Sequence, residues 1–368
     1  MWEMFRRGTH KMIGGRQGQT VQANSTAYQA GSSLTVINNN GLSEQAVLAL
    51  IKDQVSSQLA ELRGEAIAKA QARGDVITER YVTRLAREYP AGLAQAGDPD
   101  FQYAIATVQK EYMRCGDDEL GDLLVDLLID RSKQTARNIL QIVLNESLAV
   151  APKLTLAQTS LLSLMYVLRY TGNQGVRDSA TFAAYLEEHV RPFCELNMLA
   201  TQESSFQHLQ FAGCGTLSAL GMGTSIEAIF RQNYAGIFAR GFDAPEVSAM
   251  GLSDGVAAVL ICPALNDDGK SQIAALNSRV LEEKLTSTNA TQAERDTINV
   301  KFESSRMGEQ EIRELTLKVA PWMSILFDRW RTTSLSSFML SSVGIAIGHA
   351  KIKSIIKRDF GDLSIWIN

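Results

Sequence analysis

Residues 117–132 read DDELGDLLVDLLIDRS, and this stretch decides the fold class. Asp117 or Asp118 caps a helix, because a carboxylate can accept the unpaired backbone N–H groups of its first turn. Glu119, Asp122, Asp126 and Asp130 follow at spacings of three, four and four, which puts all four on one helix face. Leu123, Leu124, Leu127 and Leu128 lie opposite them. An acidic face backed by leucines is an amphipathic helix packed on a core.

The neighbouring segments have the same character. Asp98-Pro99-Asp100 opens a helix over about 100–115, and another over about 135–149 stops before Pro152. Thr155 opens the next, which runs through SLLSLMYVLRY to Thr171-Gly172-Asn173. Ser179 opens one more up to His189, with Pro192 near its end. Helices with short connectors and good helix formers read as an α bundle. Further on, FAGCGTLSALGMGTSIEAIF is glycine-rich and then helical, and Phe242 to Leu252 is loop-like. Val256 to Ile261 is a buried strand or a helix turn, and its period cannot arbitrate. Helices over about 271–285, 291–304 and 308–331 follow, the last broken near Pro321.

Both ends differ from this body. From Gln17 to Ser43 there is no charged residue. Two readings fit: a disordered polar tail, or a β arm that orders by pairing with copies of itself, since stacked Asn and Gln side chains form hydrogen-bonded ladders. The uncharged length and the β-prone Thr35-Val36-Ile37 favour the arm, with Val21, Gln22, Tyr28, Gln29, Leu34, Val36 and Ile37 as oligomerisation residues. After Asn38-Asn39-Asn40-Gly41, a turn, Ser43 caps a long helix with a stripe of Val47, Ile51, Val55, Leu59, Leu62 and Ala66. It continues, with a break near Gly74-Asp75, to Tyr89-Pro90. The stripe packs on its own domain or forms a coiled-coil stem, and Gly64 and Gly74 favour packing.

At the other end, Phe338 to Leu340 is strand-like, Ser341-Ser342 caps the helix VGIAIGHAKIKSII, and Asp362 to Ile367 alternates like a strand. This order, with Lys351, Lys353, Lys357 and Arg358 on the helix, predicts a small winged-helix-like unit. The lysines do not share one clean face and read as a solvated surface rather than a phosphate contact. The expected fold is mainly α: a helical body, a short N-terminal β arm and a small C-terminal α+β unit. The expected divisions are 1–40 (arm), 41–150 and 151–331 (two helical domains) and 332–368 (winged-helix-like unit).

Composition bounds the chemistry. The chain has 368 residues, 45% apolar and 21% charged, with a net charge of −4. It has no global basic field, so nucleic acid is not an expected partner. No window reaches the roughly 18 uninterrupted apolar residues of a membrane span, and no signal peptide is evident, so a cytoplasmic location is expected. Cys115, Cys194, Cys214 and Cys262 are far apart, as are His10, His189, His208 and His349, which fits reduced thiols better than a zinc site.

Three constellations touch on catalysis. Asp122, Asp126 and Asp130 could hold a divalent cation, but a helical di-metal site usually adds an E-x-x-H motif, which the chain lacks, so a solvated or Arg-paired face is the better reading. Gly213-Cys214-Gly215 and Gly221-Met222-Gly223 lack the Lys of a phosphate loop and the dinucleotide spacing. Cys194 near His189, and Cys214 near His208, lack an orienting third group in the sequence. No catalytic residue and no cofactor are assigned.

Two pieces together carry a resemblance. One is Gln22-Ala-Asn-Ser-Thr-Ala-Tyr-Gln-Ala-Gly31, followed by Gly41-Leu-Ser43 and a helix. The other is Leu340-Ser-Ser-Val-Gly-Ile-Ala-Ile-Gly348, closing with Asp362-Leu-Ser-Ile-Trp-Ile367. Asp98-Pro-Asp-Phe-Gln-Tyr103 and Gly121-Asp-Leu-Leu-Val-Asp126 fit the same picture. The chain resembles a family of uncharacterised bacterial proteins with these landmarks, over most of its length. The resemblance implies no chemistry. Bacterial families with a similar C-terminal end look like accessory or defence genes, which implies a setting in anti-phage defence.

The expectation is therefore a non-enzymatic, self-assembling scaffold or sensor, homo-oligomeric through its arm, that binds a protein partner or a phage-derived ligand. Two rivals stand beside it. A membrane-acting effector would use Val319–Trp330 and Phe338–Ile347. A metal-dependent hydrolase would use the acidic ladder.

Overall fold

The computed structural model describes residues 10–14, 17–21, 44–194, 199–218, 223–267, 269–275, 277–356 and 360–368. The chain divides into two compact units, 1–67 and 68–368. In the first, β1 (His10–Gly14) and β2 (Gln17–Val21) pair antiparallel, His10 opposite Val21. Helix α1 (Glu44–Glu88) starts in the first unit and ends in the second, without a break at Gly74-Asp75.

The second unit is built mainly of helices, as expected. Its first half holds α2 (Pro99–Cys115), α3 (Asp118–Ser132), α4 (Ile139–Val150), α5 (Leu156–Tyr170), α6 (Ser179–Tyr185) and α7 (Glu203–Phe211). Then come β3 (Gly215–Leu217), α8 (Ile226–Asn233), α9 (Ala244–Ala249), α10 (Asp254–Leu260), β4 (Ile261–Pro263) and β5 (Ser271–Ile273). The chain continues through α11 (Ser278–Ser287), α12 (Gln292–Ser304), α13 (Glu309–Val319), α14 (Met323–Thr332), β6 (Phe338–Leu340) and α15 (Ser342–Ile356). The ambiguous Val256–Ile261 run is both things, the end of α10 and the start of β4.

Side chains set the helix ends. The Asp117 carboxylate accepts the Leu120 N–H at 2.8 Å, and Asp98 accepts that of Phe101 at 2.8 Å. Thr155 and Gln158 form a capping box at α5. Pro321 separates α13 from α14, since it lacks the N–H a continuous helix needs.

One hydrophobic core runs from Ile77 to Ile367, across the divisions expected at 150 and 331. Its central element is α15, in which every residue from Gly344 to Ile352 is buried. The glycines explain how a helix fits there. A Cβ on Gly344 would lie 2.0 Å from the Cys214 carbonyl oxygen, and one on Gly348 2.8 Å from that of Leu162. Only hydrogen at both positions lets the backbones meet, and the Ser163 hydroxyl donates to the Gly348 carbonyl at 3.2 Å. A second, smaller core lies within residues 242–302, around Phe242, Leu260, Ile273, Leu285, Ile298 and Phe302.

The C-terminal end departs from expectation. β6 pairs antiparallel with β3, Gly215 opposite Leu340. The strand expected over Asp362–Ile367 is a 3-10 turn at Leu363–Ile365. The winged-helix-like arrangement is therefore absent among the described residues. Leu363 and Ile367, four apart, are both buried against the core, and the backbone closes its own bonds from Ile365 N–H to Asp362 and Trp366 N–H to Leu363. Alternation in a short segment fits this turn as well as a strand.

Candidate functional site

The acidic ladder was the strongest candidate in the sequence. Its four carboxylates do share one face of α3, and each has its own cation. Glu119 meets Lys351 at 2.8 Å, Asp122 meets Arg80 at 2.9 Å and Asp126 meets Arg84 at 2.5 Å. Asp130 is bound by Lys133 at 2.7 Å and Lys353 at 3.2 Å, with the His349 ring 3.8 Å away. Apart from Lys133 at the end of α3, the cations come from two helices: Arg80 and Arg84 lie on successive turns of α1, and Lys351 and Lys353 lie on α15. Lys351, expected on a solvated face, is 3% exposed.

These pairs differ in electrostatics. Burial pushes the Asp126 carboxyl up from the usual carboxylate range, against the pull of Arg84, and its second oxygen has no hydrogen-bond partner. Burial also acts to raise Asp130, but Lys353, Lys133 and His349 outweigh it, and that carboxyl titrates below its ordinary range. Burial lowers the His349 pKa more than Asp130 raises it, and its Nε2–H donates to the Gly361 carbonyl at 3.0 Å. A divalent ion at Asp122, Asp126 and Asp130 would have to displace fixed arginines and lysines. Among the described residues no three His, Cys, Asp or Glu side chains are grouped to hold a metal.

The glycine and cysteine motifs are used in packing. A Cβ on Gly215 would meet the Met339 carbonyl oxygen at 2.4 Å, and one on Gly223 would meet Ser336. Gly221 and Met222 lie outside the described residues. Burial pushes the thiols of Cys194 and Cys214 up to about 12, far from the thiolate a nucleophile needs. His208 is engaged by the Gln158 amide at 3.0 Å, and His189 stacks on Tyr185. Of the arm residues, Val21 closes β2, whereas Gln22, Tyr28, Gln29, Leu34, Val36 and Ile37 lie outside the described residues. The two apolar stretches of the membrane reading contribute core side chains, among them Met323, Phe327, Trp330, Phe338 and Ile345. Among the described residues no helix is long and apolar enough to cross a membrane.

No sequence motif points to a cavity of about 520 Å³ lined by Arg231 of α8, Arg279 of α11 and Arg306, which follows α12. Thr224, Gln232, Asn277 and Ser278 complete its polar wall, and no carboxylate lines it. These residues come from three stretches far apart in the chain, so no local spacing announces the site.

A protein-family model described as “:-like” matches residues 41–367. The chain belongs to that family. The match begins where the expected arm ends. No curated protein and no solved structure matches the chain.

Proposed function

We propose that the protein is a non-enzymatic, self-assembling scaffold or sensor, in which the arm and the first half of α1 join copies of the chain and the helical body receives a partner or ligand. The observation that carries this reading is α1. At about 1.5 Å per residue, its 45 residues span roughly 67 Å. Before Ala68, every position whose burial is described is exposed, from Lys52 to Ile67, and a Cβ on Gly64 would touch nothing within 4 Å. The apolar stripe from Val47 to Ala66 runs along this same stretch.

A helix with an apolar stripe gains most of its stability from packing that face rather than from propensity, and a two-stranded hairpin by itself is marginal in water. Among the described residues β1 and β2 form a sheet of two strands, whose outer edges offer unpaired backbone groups. A second copy of the chain satisfies both needs at once, stripe against stripe and edge against edge. The setting we propose is bacterial anti-phage defence. Phage plating on cells with and without the gene checks that setting, and equal plaque counts across a broad phage panel speak against it.

Light-scattering mass tests the assembly. The full chain is expected to be a defined oligomer of the 40.3 kDa protomer. The full chain carrying Ile51→Lys and Leu59→Lys, and a chain beginning at Gly41, are both expected to have lower mass. A monomer in all three forms sinks the reading.

A further inference from the structure

We propose that the arginine-lined cavity between α8, α11 and the turn after α12 binds a small molecule bearing several phosphates. Three arginines line one concavity of about 520 Å³, a volume within the usual range for small-ligand sites. Their own counter-ions are weakly held. Arg279 pairs with Glu283 at 3.3 Å along its own helix, with side chains 81% and 61% exposed, and Arg306 pairs with Glu303 at 3.1 Å. Such exposed pairs exchange at little cost. Arg231 has no ion-pair or hydrogen-bond partner among the described residues. Beneath Arg306 the Phe302 ring lies 5.7 Å from the guanidinium carbon and fixes its position.

The neutral groups point the same way. Asn277 caps α11 by accepting the Val280 N–H at 2.9 Å, which leaves the N–H groups of Ser278 and Arg279 without a protein acceptor among the described residues. The hydroxyls of Ser278 and Thr224 and the Gln232 amide add further donors at the wall. A wall rich in donors and free of carboxylates calls for a ligand rich in acceptor oxygens with several negative charges. Phosphate chains meet that description, and arginine forks match their geometry.

Nucleic acid is the less favoured occupant. It needs basic groups spread along a backbone track, whereas here the charge converges in one hollow on a chain of net charge −4. The inference does not depend on assembly, since every residue of the cavity belongs to the helical body.

Calorimetric titration of the full chain with tripolyphosphate, ATP and a single-stranded oligonucleotide tests it. Saturable binding of tripolyphosphate or ATP, weakened roughly tenfold or more by Arg231→Gln and less by Arg231→Lys, is the expected result. Equal affinity for the two ligands assigns recognition to the phosphate chain, and tighter ATP binding adds a contact to the nucleoside; either supports the site. A melting curve checks that Arg231→Gln is folded, and Arg114→Gln, at the exposed end of α2, should leave binding unchanged. No binding of either phosphate compound, binding indifferent to Arg231→Gln, or tight binding of the oligonucleotide alone overturns the proposal.

Discussion

Replacing Arg84 by Met should destabilise the helical body by about 3 kcal/mol at neutral pH, because it leaves the Asp126 carboxylate buried without its cation. The magnitude follows from the geometry. The Asp126 side chain is 1% exposed, and of its two oxygens only one is hydrogen-bonded, to Arg84 at 2.5 Å. Arg84 itself is 22% exposed, so some water reaches the pair, which places the loss toward the lower end of the roughly 3–5 kcal/mol typical of a broken buried pair. Removing both charges, with Arg84→Met and Asp126→Leu together, should restore most of the stability, because the cost lies in the orphaned charge and not in the lost contact. The pH dependence has a definite sign. Burial raises the Asp126 pKa, and losing Arg84 raises it further, so protonation rescues the single variant. The gap between wild type and Arg84→Met should therefore narrow as pH falls from neutrality toward the carboxylate range. Urea unfolding followed by circular dichroism measures all four corners of the cycle. A cost below about 1 kcal/mol for Arg84→Met, or a double variant no more stable than the single one, refutes the reasoning.

Three further outcomes are expected. Gly344→Ala should lower the melting temperature despite its better helix propensity, since the new methyl would sit 2.0 Å from a carbonyl oxygen and overpacking costs about 1–3 kcal/mol; Gly64→Ala, in open space, should raise it or leave it unchanged. Glu294 accepts from Ser253 N–H and hydroxyl and from Thr291, which hold its carboxyl down to about 2, so its contribution is complete above about pH 4.5 and is lost as pH falls toward 2; amide exchange in α10 and α12 should accelerate over that window and not above it. Iodoacetamide should modify exposed Cys115 first and reach buried Cys214 only on unfolding, as peptide mass mapping would show.

The local parts of this fold were legible. Asp98, Asp117, Thr155 and Ser341 cap helices as their sequence positions announce, because capping is a matter of a few consecutive residues. The period of three and four placed the α3 carboxylates on one face for the same reason. What those carboxylates touch was not legible. Lys351 and Lys353 meet them across 232 and 223 residues of chain, and no periodicity encodes a partner at that distance. Read alone, the lysines looked solvated, and the carboxylates looked solvated or arginine-paired without saying which arginines; Arg80 and Arg84 pair with Asp122 and Asp126. The arginine cavity was hidden in the same way, since Arg231 and Arg279 are unremarkable in their own helices and Arg306 in the turn after α12. The alternation at Asp362–Ile367 misled because so short a run fits a 3-10 turn with Leu363 and Ile367 buried as well as it fits a strand.

The position of α15 in the chain has a consequence for synthesis. The helices that enclose it, α3, α4 and α5, leave the ribosome first, and roughly 170 residues separate the end of α5 from the start of α15; at about 5–20 residues per second that is on the order of ten to thirty seconds. For that interval the nascent body carries an open, greasy furrow shaped for a helix that has not yet been made. Holdase chaperones have a timed opportunity there, and a premature stop codon shortly before Ser342 would yield a product whose furrow is never filled. A peptide spanning α15, supplied separately, should bind such a truncated product and quiet its aggregation.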